Sequence, residues 1–209
     1  PRIIAAVTSS MLSKRKTKQE KGVDIDRLVE NSDIYISNIE EFYELLKDSF
    51  FTDKKRWQDL NNKDLYSGMA HILGKQKTRR KKVYVTCGEN GAVVMDSEER
   101  MYFEKTCLPI TDPTYKRSPL DLNGAGDTFT GVMTLLEAKG WPTSKVLRYA
   151  NAAAQICTGY VGANRKGEIT IDSIKKFLQE LGQPTKIYFK DKETGKLEDS
   201  QKTQKLVAR

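Results

Sequence analysis

Short apolar segments alternate with longer amphipathic segments along most of this chain. IIAAV (3–7) and DIYIS (33–37) are β-branched runs with the length and composition of buried strands. The following segment, 39–48, carries apolar or aromatic residues at positions 39, 42, 43, 45 and 46, which form one face of a helix. Strands that alternate with helices favour an α/β domain with a mostly parallel sheet flanked by helices.

The same rhythm continues toward the carboxyl end. We predict a helix over 65–74 that ends at Gly74, a glycine suited to the position just past a helix. Strands are expected at 82–88, 92–96 and 100–105, close enough to form an antiparallel edge, and three helices at 128–140, 144–160 and 171–182. Residues 1–182 are therefore assigned to one domain. Residues 183–209 offer little to bury except Ile-Tyr-Phe, and we expect a basic, extended tail.

The formal net charge of +8 is concentrated in a few places. Basic residues cluster at 13–21, at 75–82 and in the tail. Such clusters suit the phosphates of a nucleotide or RNA, or an acidic partner, but they are also typical of a solvated loop beside a strand. No aromatic residues are interleaved to stack bases, so the composition does not favour a dedicated nucleic-acid site.

Membrane and disulfide chemistry are not indicated. No run of about 18 apolar residues occurs, so no membrane span is expected. The three cysteines are odd in number and form no CxxC pair, which argues against a disulfide framework or a zinc site. We expect reduced thiols in a cytosol or organelle matrix.

The stretch most informative about chemistry is Asp121-Leu-Asn-Gly-Ala-Gly-Asp-Thr-Phe-Thr-Gly131, where small residues lie at the start of a predicted long helix. Gly124 and Gly126 allow a tight turn that exposes consecutive N–H groups. Those groups and the positive end of the helix would attract an anion. Asp127 would lie in the first helical turn, where its carboxylate could take a proton from a hydroxyl that attacks phosphorus. An Asp-capped helix without chemistry is the simpler alternative.

This stretch resembles the carboxyl-terminal signature of the PfkB (ribokinase) family of carbohydrate kinases. Three further features follow the order of that family. Asn38-Ile-Glu-Glu41 resembles its NxxE motif, Thr86-Cys-Gly-Glu-Asn-Gly91 its TxGxxG turn, and Asn151-Ala-Ala-Ala the helix that walls its adenine pocket. Each motif alone is weak, since an N-cap, a hairpin turn or close helix packing would produce it. Together they give a resemblance over residues 33–181.

The resemblance implies a Rossmann-like, ribokinase-type ATP-binding domain and assigns roles to particular residues. Asp127 would be the catalytic base, and Gly124, Ala125 and Gly126 would form the anion hole. Asn38 and Glu41 would serve Mg²⁺, which Glu41 meets through water, and the phosphates. The nucleotide would also contact Thr86, Gly88, Gly91 and Asn151. Asp121 and Asn123 match positions that hold a monovalent cation in many relatives, and K⁺ is the candidate ion.

By the same resemblance, the reaction would move the γ-phosphate of ATP to an alcohol group of a sugar or a sugar-bearing nucleoside. The parts that hold the sugar in relatives precede residue 33, and residues 1–32 do not resemble them. An N-terminal segment or a partner chain is therefore expected to complete the acceptor site. The alternative is an inactive PfkB-like scaffold subunit in a larger, RNA-containing assembly, which the basic segments 13–21 and 75–82 would suit.

His71, the only histidine, and Cys87 are expected to have structural roles. His71 lies on the apolar face of a predicted helix and has no second ligand or nucleophile near it in the sequence. Cys87 lies inside the TxGxxG turn, where a small packing residue is expected rather than a reactive thiol.

Overall fold

A computed structural model describes residues 3–8, 11–12, 24–105, 122–159, 169–181, 186–190 and 197–199. Its strands are β1 (Ile4–Ala6), β2 (Ile34–Asn38), β3 (Lys82–Thr86), β4 (Ala92–Met95), β5 (Met101–Glu104), β6 (Lys186–Lys190) and β7 (Leu197–Asp199). Its helices are α1 (Ile25–Glu30), α2 (Ile39–Leu46), α3 (Asn62–Lys75), α4 (Ala125–Ala138), α5 (Thr143–Thr158) and α6 (Ile171–Leu181). In this part of the chain, no helix is both long and apolar enough to cross a membrane.

The chain packs as two compact units. Unit 1 comprises Pro1–Thr86, Val93–Met101 and Ile187–Arg209, and unit 2 comprises Cys87–Ala92 and Tyr102–Lys186. Unit 1 therefore holds the strands β1 to β3 with the helices α1 to α3, and unit 2 holds the helices α4 to α6. Each unit is described by itself below.

The sheet of unit 1 is built on parallel strands. Strand β2 pairs in parallel with β1 on one side and with β3 on the other, and β4 lies next to β3. The residues Ile34, Tyr35 and Ile36 are all buried, as a parallel strand covered on both faces requires. The predicted α/β fold with a mostly parallel sheet is confirmed.

Helix α3 packs closely in unit 1. Its buried residues include Leu65, Met69 and Ile72, which are spaced along one helical face. Gly68 lies on the same helix, and a Cβ there would come within 2.6 Å of Cζ of Phe51. Glycine at position 68 therefore lets this helix lie close to the side chains of Phe42 and Phe51.

The predicted end of α3 at Gly74 is wrong, because the helix continues through Lys75 and Gln76 is its cap. The buried Nε2 of Gln76 donates to the carbonyl oxygen of Ser32 over 3.2 Å. This long-range bond fixes where the chain leaves the helix. A tertiary contact of that kind has no signal in the local sequence.

Unit 2 contains the three predicted helices. Helix α4 buries Phe129, Met133 and Leu136, and α5 contributes an alanine-rich face. Ala152 and Ala153 of α5 form a core cluster with Ile174 and Leu178 of α6. Alanines at these positions let the helices lie close together.

The segment predicted to be an extended tail contains two short strands. β6 pairs with β7 in antiparallel fashion, with Tyr188 opposite Asp199 and Lys190 opposite Leu197. The three-residue apolar run was too short to distinguish a strand from extended chain. The remaining residues after 182 lie outside the described part of the structure.

Candidate active site

The NxxE motif and the start of the TxGxxG motif meet at one edge of the sheet in unit 1. Asn38 is the last residue of β2 and Thr86 the last of β3, and their Cα atoms are direct partners in the parallel register. Ligands of parallel α/β sheets bind outside the carboxyl ends of the strands. The two motifs thus converge at the edge where a nucleotide site is expected.

Asn38 and Glu41 close a reciprocal capping box at the start of α2. Oδ1 of Asn38 accepts from the N–H of Glu41 over 2.8 Å, and Oε2 of Glu41 accepts from the N–H of Asn38 over 3.0 Å. These bonds satisfy two of the N–H groups that a helix start leaves unpaired. The Glu41 carboxylate is thereby held at the carboxyl edge of the sheet.

Few protein ligands for a metal gather at this edge. Over the described ranges, no group of three or more His, Cys, Asp or Glu side chains converges to hold a metal ion. Mg²⁺ commonly binds through one or two carboxylates while water and phosphate oxygens supply its other ligands. The carboxylate of Glu41 could serve a magnesium ion of that kind, for which the nucleotide and water would supply most of the other ligands.

The TxGxxG turn is a tight 3-10 loop. The N–H of Cys87 donates to the carbonyl of Gly91 over 2.7 Å, and the N–H of Gly91 donates to the carbonyl of Gly88 over 3.1 Å. Both glycines have a positive φ, +55° for Gly88 and +97° for Gly91. Residues other than glycine rarely adopt such a backbone conformation. A Cβ at Gly88 would meet no atom within 4 Å, so open space lies beside the backbone there.

The thiol of Cys87 is buried inside this turn. Burial raises its pKa to about 12, because a thiolate would lose its hydration. A thiol that stays protonated is a poor nucleophile. Cys87 therefore packs rather than reacts, as predicted.

Gly124 begins helix α4 in the left-handed conformation, with φ at +79°. The N–H of Thr128 donates to the carbonyl of Gly124 over 2.8 Å, and the N–H of Ala125 donates to Leu122 over 3.4 Å. Among the described residues, no acceptor is bonded to the N–H groups of Gly126 and Asp127. Unpaired amides at the positive end of a helix dipole are groups that can attract an anion.

Asp127 lies in the first turn of α4, as predicted, and its side chain is exposed. It makes no hydrogen bond or ion pair with any residue that the structure describes. A Cβ at Gly126 would likewise meet nothing within 4 Å. Within the described part of the chain, the first turn of this helix thus carries one exposed carboxylate beside two unpaired amides.

The side chain of Asn151 is almost completely buried and bonded within unit 2. Its side chain is only 5% exposed, and its Nδ2 donates to the main-chain carbonyl of Lys105 over 2.9 Å. Asn123, the other candidate from this region, lies in the turn before Gly124, and its carbonyl oxygen is 4.0 Å from Sγ of Cys157. Asp121, its proposed companion at a cation site, lies outside the described residues.

Two polar features of the structure were not apparent from the sequence. Nε of Arg148 on α5 is 3.9 Å from the buried Glu104 carboxylate at the end of β5. In the sequence Glu104 is an ordinary polar residue at the end of a strand, and a backbone acceptor such as the Lys105 carbonyl has no sequence signal.

The basic segment 75–82 has local electrostatic partners. Lys75 pairs with Asp26 and Lys77 with Glu30, both on the acidic helix α1. The segment leads into the amino end of β3, whereas Thr86 lies at the carboxyl end of that strand. Part of this charge thus balances a neighbouring helix within unit 1.

The family model for pfkB carbohydrate kinases matches residues 5–170. The chain belongs to the pfkB family of carbohydrate kinases. The match begins well before residue 33, where the motif resemblance starts. It therefore takes in the first strand pair as well as the motifs.

Similar proteins are found among both curated sequences and solved structures. A bifunctional protein HldE from Nitratiruptor sp. is 33% identical over 101 residues, which cover 47% of this chain and 21% of that protein. Phosphofructokinase-2 from Escherichia coli, solved with substrates and products, has a TM-score of 0.59 at 20% identity. Arabidopsis thaliana ribokinase, complexed with ribose and ATP, has a TM-score of 0.58 at 22% identity.

These likenesses cover the relatives only in part. The chain aligns over 87% and 84% of its own length with phosphofructokinase-2 and ribokinase, but over 48% and 47% of theirs. At these identities the structural likeness establishes the fold alone. The chain thus spans about half of those kinases and about a fifth of HldE.

Proposed function

We propose that this chain binds ATP with Mg²⁺ and takes part in moving the γ-phosphate to an alcohol group of a sugar or a sugar-bearing nucleoside. The observation that carries the proposal is the exposed first turn of α4. Asp127 there is an exposed carboxylate without a structural partner among the described residues, directly behind the free amides of Gly126 and Asp127. A fold gains little from a carboxylate so placed, whereas phosphoryl transfer needs one.

In the proposed reaction, the acceptor oxygen forms a bond to the γ-phosphorus while the bond from that phosphorus to the departing ADP oxygen breaks. The carboxylate of Asp127 takes the proton that the acceptor hydroxyl loses. The turn of Gly124, Ala125 and Gly126 presents N–H groups to the negative charge on the transferring group. Mg²⁺, when bound, would supply positive charge to the phosphates.

The nucleotide is proposed to lie along the carboxyl edge of β2 and β3 and the loop that follows. Asn38 and Glu41 would face the metal and the phosphates, and Thr86, Gly88 and Gly91 would lie along the nucleotide. Positive φ and open space at Gly88 allow a ligand to approach the backbone closely. The ribokinase structure with ribose and ATP supports this ligand class.

Two parts of the proposal rest on the family resemblance. Asp121 and Asn123 are proposed to hold a monovalent cation, with K⁺ as the candidate. The acceptor pocket is proposed to be completed by an N-terminal segment or by a partner chain. Because the chain spans about half of its structural relatives, the activity is proposed for this chain together with such a segment or partner.

The test is ADP release from ATP and Mg²⁺ across a panel of sugars and nucleosides, with Asp127→Asn as the variant. Asp172→Asn is the matched control, since Asp172 also lies in a first helical turn of unit 2 and its side chain is 90% exposed. We expect acceptor-dependent turnover that falls by about 10²-fold or more in Asp127→Asn and is unchanged in Asp172→Asn.

Nucleotide binding is measured in parallel by calorimetry with Mg·ADP. Binding without turnover would mean that the acceptor site is incomplete in this chain. The measurement would then be repeated with a longer chain or with the partner chain. Folded protein with neither binding nor turnover would contradict the proposal and favour the scaffold alternative.

A further inference from the structure

Helix α5 is tied to the end of β5 by a polar seam, which we define as Glu104, Lys105, Arg148 and Asn151. Arg148 and Asn151 are three residues apart on α5, so both lie on one face of the helix. Arg148 faces the buried Glu104 carboxylate at 3.9 Å, and Asn151 donates to the Lys105 carbonyl at 2.9 Å. Two successive residues at the end of β5 thus meet one turn of α5.

The same helix reaches the catalytic turn about two turns later. Cys157 is buried, and its Sγ lies 4.0 Å from the carbonyl oxygen of Asn123, immediately before Gly124. Positions 151 and 157 are roughly 9 Å apart along the helix axis. Helix α5 therefore contacts Lys105 and Asn123, which lie on either side of residues 106–121 in the sequence.

We infer that Asn151 is a positioning residue, which sets the glycine turn and Asp127 through α5 instead of contacting the nucleotide. Its amide donates to Lys105, and at 5% exposure it offers little surface to a ligand. Helix α5 packs against α4, whose first turn carries Asp127. A displacement of about 1 Å in a catalytic group can cost about 10²-fold in rate, so a seam of this kind has functional weight. The inference rests on the proposed function only for its kinetic consequence.

The structural consequence is tested without activity, by hydrogen exchange of Asn151→Ala. We expect exchange at residues 125–130, which include the Thr128 amide, to accelerate about five- to tenfold. That factor corresponds to the loss of one hydrogen bond worth roughly 1 kcal/mol. Exchange in β2 and β3 of unit 1 should not change, and Lys145→Ala on the exposed face of α5 is the control variant. Unchanged exchange at 125–130, or equal acceleration throughout both units, would overturn the inference.

The kinetic consequence separates positioning from nucleotide contact. Positioning predicts that Asn151→Ala lowers kcat at least tenfold, while KM for ATP and the preference for ATP over GTP stay unchanged. Contact with the base predicts a raised KM and an altered preference, and that result would overturn the inference. Asn151→Ser has a hydroxyl donor on a shorter side chain and should therefore retain part of kcat. This variant replaces Asn151→Ala in both measurements if the alanine variant does not fold. Failure of the proposed function itself would be visible as the absence of both Mg·ADP binding and turnover in the unmodified chain, with the exchange result still decisive.

Discussion

Asn38 and Thr86 face each other across two parallel strands, although their motifs are far apart in the sequence. Their Cα atoms are register partners at the last residue of β2 and of β3. A slip of one residue would turn every side chain of a strand to the opposite face. The register of the buried strands thus determines that the NxxE motif and the start of the TxGxxG motif share one edge.

The capping box at Asn38 allows stability to be separated from ligand binding, because α3 has a second one. There Oδ1 of Asn61 accepts from the N–H of Asp64 over 3.2 Å, and Oδ2 of Asp64 accepts from the N–H of Asn61 over 2.9 Å. Asn38→Ala and Asn61→Ala should each lower the free energy of unfolding by about 1 kcal/mol. Only Asn38→Ala should weaken Mg·ADP binding, by roughly tenfold, which is a loss of ~1.4 kcal/mol.

Urea unfolding and calorimetry on the same two variants check this prediction. Equal loss of nucleotide affinity in both would mean that helix stability alone governs binding. Asn38 would then have no direct role at the strand edge.

Gly126→Ala is expected to spare the fold and damage the anion site. A Cβ at position 126 meets no atom within 4 Å, so the helix should accept it and gain up to ~1 kcal/mol from the removal of a helical glycine. The added methyl lies beside the free amides and should weaken phosphate binding by about tenfold or more.

Gly131→Ala is the matched control, because Gly131 lies on the same helix and its Cβ also meets nothing within 4 Å. Thermal unfolding and Mg·ADP titration are the measurements. If the two variants bind nucleotide equally well, the amides at the start of α4 are not the anion site.

His71 should make unit 1 less stable on mild acidification. Its pKa is lowered by burial first and by Lys75 second, while Asp26 opposes the shift. A lowered pKa means that the folded state favours the neutral ring. The contribution of the neutral His71 ring to the free energy of unfolding is therefore fully present above the unfolded-state pKa of about 6.5. It is lost as the pH falls through the folded-state pKa.

The variant His71→Phe keeps a ring beside Phe50, whose centroid is 5.0 Å from that of His71, but cannot titrate. Urea unfolding between pH 7.5 and 5.5 should give a smaller decline for the variant than for the unmodified chain. Identical declines would indicate that carboxylates cause the pH dependence.

Cys87 should resist alkylation in the folded protein. With a pKa of about 12 it is almost wholly protonated at pH 8.5, whereas the unfolded chain would have an ordinary thiol. Peptide mapping after iodoacetamide treatment should give at least about 10²-fold slower labelling of Cys87 when the protein is folded. The thiol's stabilising contribution is present below about pH 9 and is lost as the pH rises toward 12. Rapid labelling of folded protein would contradict its burial.

The sequence predicted elements better than it predicted contacts. Hydrophobic period and glycine placement located the strands β1 to β5, the helix α4 and the turn at Gly124, because these depend on local physics. The end of α3 depends on a bond from Gln76 to Ser32, and the orientation of Asn151 on a backbone carbonyl of another element. Such contacts arise only when distant segments pack, so no local pattern reports them.

The capping box also determines what a loss of function would look like in a lineage of related chains. Glu41 stabilises α2 by its bond to the N–H of Asn38, so selection for a folded protein would retain it even after catalysis had ceased. Asp127 has no such second duty among the described residues, and drift would be free to remove it. Replacement of Asp127 beside an intact Glu41 is therefore the pattern that would distinguish an inactive relative from a working one.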